Sequence, residues 1–133
     1  MTILPEGLLN LLRGPSPCFL ATTDPDGSPQ LTEVWVDTDG EHIVINTVEG
    51  FRKVRNIERD PRVSVVVANP GQVSDYYSVK GRVVDVTPKR GAEHIDELAQ
   101  KYLGRPYPWF GGRDQVRLIV TIAVDKIVHA PYA

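Results

Sequence analysis

Cys18 is the only cysteine, so no intramolecular disulfide can form, and no Cys/His cluster supplies the four ligands of a structural zinc site. Neither covalent nor metallic staples are expected, and a reducing, cytoplasmic setting is. The sequence nowhere approaches the ~20 apolar residues that span a bilayer, and Met1 to Asn10 has no basic stretch leading into a long apolar run. The expectation is a chain neither exported nor inserted in a membrane. Charge of one sign is also lacking. Fifteen Lys plus Arg against 17 Asp plus Glu leave a formal net charge of −2, and hence no global positive field for nucleic acid. Any anion site has to be local. The phosphate loop Gly-x-x-x-x-Gly-Lys-Ser/Thr, the Gly-x-Ser-x-Gly elbow, His-Glu-x-x-His and Gly-x-Gly-x-x-Gly are all missing, which removes the main support for kinase, hydrolase and metalloprotease chemistry.

What is present suits one folded domain over residues 1–133, with 41% hydrophobic and 24% charged residues. Eleven Gly and eleven Pro imply many tight turns and a strand-rich fold. A first helix is expected over Pro5 to Arg13, where Leu8, Leu9, Leu11 and Leu12 form an apolar stripe and Gly14, Pro15 and Pro17 end it. Strands follow at Cys18–Thr23, Gln30–Val36 and His42–Thr47, separated by the turn sequences Asp24-Pro25-Asp26-Gly27 and Asp37-Thr38-Asp39-Gly40. The period then changes. Phe51, Val54 and Ile57 recur every third residue, which places one ridge of a helix over Gly50 to Arg59 that Asp60-Pro61 stops.

Strands are expected again at Arg62–Ala68 and Val73–Val86, with Gly81 marking a bulge or a close backbone approach. Thr87-Pro88 reads as N-cap and first residue of a helix to Leu103, with Ile95, Leu98, Ala99 and Tyr102 inward and Gly104 closing it. An aromatic loop containing Tyr107, Trp109 and Phe110 leads to a last strand, Gln115–Ala130, with Val116, Leu118, Val120, Ile122 and Val124 on one face. Six strands without regular β-α alternation, and two or three helices, predict a small antiparallel barrel with peripheral helices, mainly β in an α+β arrangement.

Asn46-Thr47 at a strand end, followed by Arg52, Lys53, Arg55 and Asn56 in the opening turns of a helix, is a candidate anion site. Free amides and the helix dipole favour negative charge there, and cationic side chains add to it. The same residues also fit a solvated basic face. His94 reads as a surface histidine, Cys18 as a small core residue, and Trp35 as packing. Trp109, beside Tyr107 and Phe110, fits either a ligand or subunit contact or packing over the barrel.

Asp26-Gly27-Ser28-Pro29, Val34-Trp35, Asn46-Thr47 and Phe51-Arg52-Lys53-Val54-Arg55-Asn56-Ile57 through Asp60-Pro61-Arg62-Val63 resemble the pyridoxamine 5′-phosphate oxidase-like split β-barrel superfamily. Val79-Lys80-Gly81-Arg82-Val83, His94-Ile95-Asp96-Glu97-Leu98 and Lys101-Tyr102-Leu103-Gly104 resemble its deazaflavin-dependent B group. The resemblance implies a six-stranded split barrel and hydride transfer from reduced coenzyme F(420) to a conjugated acceptor such as a biliverdin-like or quinone-like molecule. It assigns phosphate to Arg52 and Lys53 with Arg55 and Asn56 as support, and the ribityl chain and phosphate to Asn46 and Thr47. The ring falls to the strand holding Pro29, Thr32, Val34 and Trp35. It also implies a homodimer whose site lies between subunits, so that Tyr76, Tyr77, Trp109 or Arg117 reaches the partner's cofactor.

Thr32 and Asp37 stand where the vitamin-B6 oxidase branch carries Arg and Lys for flavin contact. That departure disfavours flavin mononucleotide (FMN). An FMN enzyme, a non-catalytic cofactor carrier and a haem protein are the alternatives. Arg13, Arg55 and Arg59 are candidates for the glutamate tail of the deazaflavin.

Overall fold

A computed structural model describes residues 2–131. The elements run α1 (Glu6–Arg13), β1 (Cys18–Thr23), β2 (Pro29–Glu33), β3 (Val36–Thr38), β4 (Ile43–Val48), α2 (Arg52–Arg59), β5 (Arg62–Asn69), β6 (Gln72–Thr87), α3 (Gly91–Leu103) and β7 (Arg117–Ala130). All strands join one antiparallel sheet in the order β2-β1-β5-β6-β7-β4-β3.

The sheet has seven strands where six are expected, because the segment Gln30–Val36 divides. β2 pairs with β1, and β3 pairs with β4 at the opposite edge of the sheet. Val34 and Trp35 join the two edges, so the edges lie within about 11 Å of each other at that point, the reach of three extended residues. This is the seam of a split barrel. Val34 and Val36 are both buried and Trp35 is half-buried, so side-chain alternation runs unbroken through the change of partner. Period two reports the buried face and carries no information about which strand is the neighbour.

Side chains of α3 close the seam. The Val36 amide donates to Tyr102 Oη at 3.1 Å, Tyr102 Oη donates to the Ser16 carbonyl at 2.7 Å, and Lys101 Nζ donates to the carbonyls of Val36 and Leu12. Trp35 stacks on Tyr102 with centroids 5.3 Å apart.

The barrel interior holds Leu20, Val36, Ile45, Val65, Val79 and Ile122, and α1 plugs one end with Leu8 and Leu12, all essentially without exposure. Cys18 belongs to this core, and burial pushes its thiol up to about 12. Gly81 sits at a bulge between β6 and β7, where a Cβ would meet the Ala123 carbonyl, so the expected close backbone approach is found.

Three elements start two or more residues later than expected. α2 begins at Arg52 and not Gly50, because Gly50 at φ +89° makes the turn that leaves β4. β7 begins at Arg117, leaving Val116 exposed. α3 begins at Gly91 and not Pro88. Thr87 Oγ1 accepts from the Lys89 amide, and Gly91 donates back to the Pro88 carbonyl, so this sequence makes a turn before the helix starts. A Cβ on Gly91 would strike the Arg117 carbonyl, so glycine lets α3 start hard against β7.

Candidate active site

β4 carries Asn46 and Thr47 just before its last residue, Val48, and Gly50 turns the chain into α2, so Lys53 in the first turn of that helix faces the strand end. The helix has no acidic residue in its first turn, and its first intrahelical bonds come from the Val54 and Arg55 amides, which leaves those of Arg52 and Lys53 free of such bonds. A cleft of about 220 Å³ opens here, lined by Glu33, Val34, Trp35, Asn46, Thr47, Phe51, Lys53, Ile95, Tyr107, Phe110 and Arg117.

Cation and orphan hydroxyl meet in this cleft. Among the described residues neither Lys53 nor Arg117 is paired with a carboxylate. Burial, followed by the charge of Arg117, holds the Lys53 ammonium below the ordinary lysine value, and burial likewise lowers Arg117. Two half-buried cations of like sign are held close, which costs energy unless an anion lies between them. Thr47 is 3% exposed, and its Oγ1 has no hydrogen-bond partner among the described residues. A phosphate accepting from Lys53, Arg117 and Thr47 would satisfy all three groups.

The walls are aromatic. Tyr107 meets Trp35 edge-on at 6.2 Å and Phe110 at 5.8 Å, and Arg117 lies over the Tyr107 ring at 5.3 Å. Such a wall suits a planar, conjugated ring. The residues therefore fit a cofactor that joins a ring to a phosphate.

Behind the cleft is a buried chain of polar groups. Arg117 Nε donates to Asn46 Oδ1 at 2.8 Å, and Asn46 Nδ2 lies 2.9 Å from the Gly91 carbonyl and 3.1 Å from His94 Nδ1. His94 Nε2 lies 3.2 Å from Asp37 Oδ2. His94 is 5% exposed, which corrects the reading of a surface histidine: Gly91 seats α3 so tightly on the sheet that the first turn of the helix points inward.

Of the residues singled out in the sequence, the cleft gathers Val34, Trp35, Asn46, Thr47, Lys53 and Arg117. Arg52 and Arg55 lie outside it, in a separate groove with Arg59, Asp24 and Asp26. Consecutive residues of a helix differ by 100° in direction, so Arg52 and Lys53 serve different faces. Asn56 is buried at 1% exposure, and its Nδ2 donates to Thr22 Oγ1 at 3.0 Å and Asp24 Oδ1 at 2.9 Å, tying α2 to β1 and the turn after it.

Pro29 lines another groove, with Lys80 and Arg62. Thr32 is half-buried, and its hydroxyl has no hydrogen-bond partner among the described residues. Tyr76 and Tyr77 pair with Ala130 and His129 at the far end of β7, and Tyr77 stacks on His129 at 4.2 Å. Trp109, at φ +54°, packs against Tyr107 and Arg113 and does not line the cleft. Sequence reasoning missed Phe51, Ile95 and Glu33 as lining residues and His94 as their support. Tyr107 and Phe110 carried a signal, as members of the aromatic loop.

The pyridoxamine 5′-phosphate oxidase family profile matches residues 4–127. The chain belongs to this family. Among solved structures, an F(420) reductase shares 30% sequence identity with a TM-score of 0.82, over 94% of this chain and 98% of that one. The split-barrel superfamily and, within it, the F(420)-dependent reductase group named from the sequence motifs are thereby matched. A conserved hypothetical protein from Mycobacterium tuberculosis has 22% identity and a TM-score of 0.76, over 97% of this chain and 86% of that one. General Stress Protein 26 from Bacillus anthracis has 19% identity and a TM-score of 0.67, over 92% and 90%. The last two similarities are of fold. Among the described residues of this family member, no helix is long and apolar enough to cross a membrane, and no group of three or more His, Cys, Asp or Glu could hold a metal ion.

Proposed function

We propose that the chain is an oxidoreductase that binds coenzyme F(420) in the cleft between β4, α2 and the aromatic loop, and reduces a conjugated small-molecule acceptor. The observation that carries this reading is the meeting of Lys53, Arg117 and the unpartnered Thr47 hydroxyl at the foot of an aromatic-walled cleft. The similarity to an F(420) reductase supports the deazaflavin over other phosphate-bearing rings.

When bound, the reduced deazaflavin supplies a hydride from the carbon of its central ring. The protein's part is to bind and orient. Lys53 and Arg117 would hold the phosphate, the Thr47 hydroxyl would donate a hydrogen bond to it, and Trp35, Tyr107 and Phe110 would exclude water from the ring. No side chain in the cleft is needed as a nucleophile.

The cleft volume of about 220 Å³ falls below the ~300–1,000 Å³ of complete ligand pockets. A second wall from a partner copy is therefore part of the proposal. Phe19 and Leu31, exposed on the neighbouring strands β1 and β2, are apolar surface that a homodimer would cover. FMN is the second reading, favoured by the family match itself.

The test is parallel binding titration of F(420) and FMN against the wild type, a Lys53→Ala, Arg117→Ala variant and an Arg52→Ala, Arg55→Ala variant. The expected result is preference for F(420), lost in the first variant and retained in the second. Preference for FMN transfers the chain to flavin chemistry. Binding of neither removes the cofactor reading. Absence of turnover with every quinone-like and tetrapyrrole acceptor, despite tight binding, makes it a carrier.

A further inference from the structure

His94 is buried, makes two polar contacts through its ring, and has no part in the binding scheme above. The donors and acceptors around it allow one arrangement. Arg117 can only donate, so the Asn46 atom facing it at 2.8 Å is the amide oxygen. Asn46 Nδ2 then has two hydrogens, one directed to the Gly91 carbonyl and the other to His94 Nδ1. Nδ1 must therefore be an acceptor, and the neutral ring carries its proton on Nε2, which donates to Asp37. A direction of donation thus runs from His94 to Asp37 at one end and from Arg117 to Asn46 at the other.

We propose that His94 is a positioning residue: anchored by Asp37, it locks the Asn46 amide in the orientation that holds the Arg117 guanidinium in the cleft. This rests on the reading of the cleft as an anion site and adds to it a condition on the protonation state. A protonated His94 presents N–H at Nδ1 against N–H of Asn46. Turning the amide over to relieve that clash would aim its NH2 group at Arg117 Nε and lose the Gly91 bond. Neutral His94 is the state that keeps Arg117 in place.

The charged surroundings are few. Asp37 faces the ring from β3 and Asn46 from β4, with Arg117 behind it on β7, while on its own helix Glu97 pairs with Arg90 and Lys101 acts on Asp37. Burial alone would raise the Asp37 carboxyl. Hydrogen bonds from His94 and the Thr38 amide, with the Lys101 charge, outweigh it and hold that carboxyl below its ordinary value, so Asp37 remains the acceptor.

The test follows the Arg117 Nε–H correlation by NMR in the whole protein from about pH 8 down to about pH 5, the range in which imidazoles exchange protons. F(420) affinity is measured separately at about pH 8 by calorimetry. The expected result is a slowly exchanging Arg117 Nε–H that weakens on acidification in step with the change in the His94 ring signals. In Asp37→Ala, which removes the acceptor of His94 Nε2, the Arg117 signal weakens already at about pH 8. In His94→Leu the signal is lost at every pH and F(420) affinity falls about tenfold, with Arg117→Ala adding little on top.

An Arg117 signal indifferent to pH and to Asp37→Ala would overturn the proposal, and both measurements stand even if His94→Leu fails to fold. Lack of F(420) binding by the wild type sinks the cofactor reading alone, since the Arg117 signal is read without ligand.

Discussion

Arg117 on β7 donates its Nε–H to the side-chain oxygen of Asn46 on β4, 71 residues earlier, at 2.8 Å. The bond fixes the edge of the guanidinium that faces the sheet and leaves its terminal nitrogens for the cleft. Side-chain freedom is thereby spent before any ligand arrives, which raises affinity for an anion by lowering the cost of ordering.

Lys53→Ala should weaken F(420) binding by about 1.5–3 kcal/mol, the range for a charge-assisted hydrogen bond, while leaving the melting temperature almost unchanged. Calorimetric titration beside a thermal melt checks it. Unchanged affinity would place the phosphate elsewhere, with the Arg52 and Arg55 groove first in line.

The same lysine gives a pH dependence on the alkaline side. Burial and then Arg117 lower its pKa, so its positive charge, and the affinity that depends on it, should fade as pH rises through a value below the ordinary 10.5. In Arg117→Ala the like charge is gone, so the alkaline loss should move to higher pH. The expected result is an upward shift of the midpoint, read from binding curves between about pH 8 and pH 11.

Cys18, with its thiol pushed up to about 12 inside the core, should resist alkylation in the native protein and react fully after denaturation. Mass spectrometry after a thiol-reagent pulse checks this. Rapid native labelling would mean that the end of the barrel near β1 opens freely.

Asn56→Ala removes donors from Thr22 and Asp24 at a buried site and should cost about 1–3 kcal/mol of unfolding free energy in a urea titration. Loss of F(420) affinity without loss of stability would assign Asn56 to the cofactor and not to the join between α2 and β1.

Gly91→Ala puts a methyl group against the Arg117 carbonyl and should cost on the order of 1–3 kcal/mol, with F(420) affinity falling alongside because Arg117 is displaced. Gly81→Ala meets the Ala123 carbonyl and should destabilise without affecting the cleft, which Gly81 does not line. Denaturation and calorimetry on the pair separate the two effects.

Much of this was legible in the sequence wherever one residue's neighbours decide its environment. The stripe of Leu8 and Leu12, the alternation from Leu118 to Val124, the tight approach at Gly81 and the Asn46-Thr47 step into a basic helix all appear as local patterns and stand in the fold. The division of Gln30–Val36 did not, since a strand that trades one partner for another keeps its alternation. His94, a polar residue beside Glu93, looks solvated in the sequence and is buried in the fold because Gly91 seats the helix on the Arg117 carbonyl. The basic block reads as one site in the sequence, whereas helical geometry sends Lys53 into the cleft and Arg52 and Arg55 to another groove.

At the seam, Val36 has both backbone groups taken by α3, its amide by Tyr102 and its carbonyl by Lys101. A helix here performs the service that a neighbouring strand performs elsewhere, hiding hydrogen-bonding groups that would otherwise be open to any passing chain. We expect partial unfolding of α3 to make β3 adhesive before the barrel itself melts. Lys101→Met with Tyr102→Phe should accordingly speed light scattering on mild heating, and an unchanged rate would refute the idea. The safeguard of this protein against edge-to-edge aggregation through β3 would then lie in two side chains of α3.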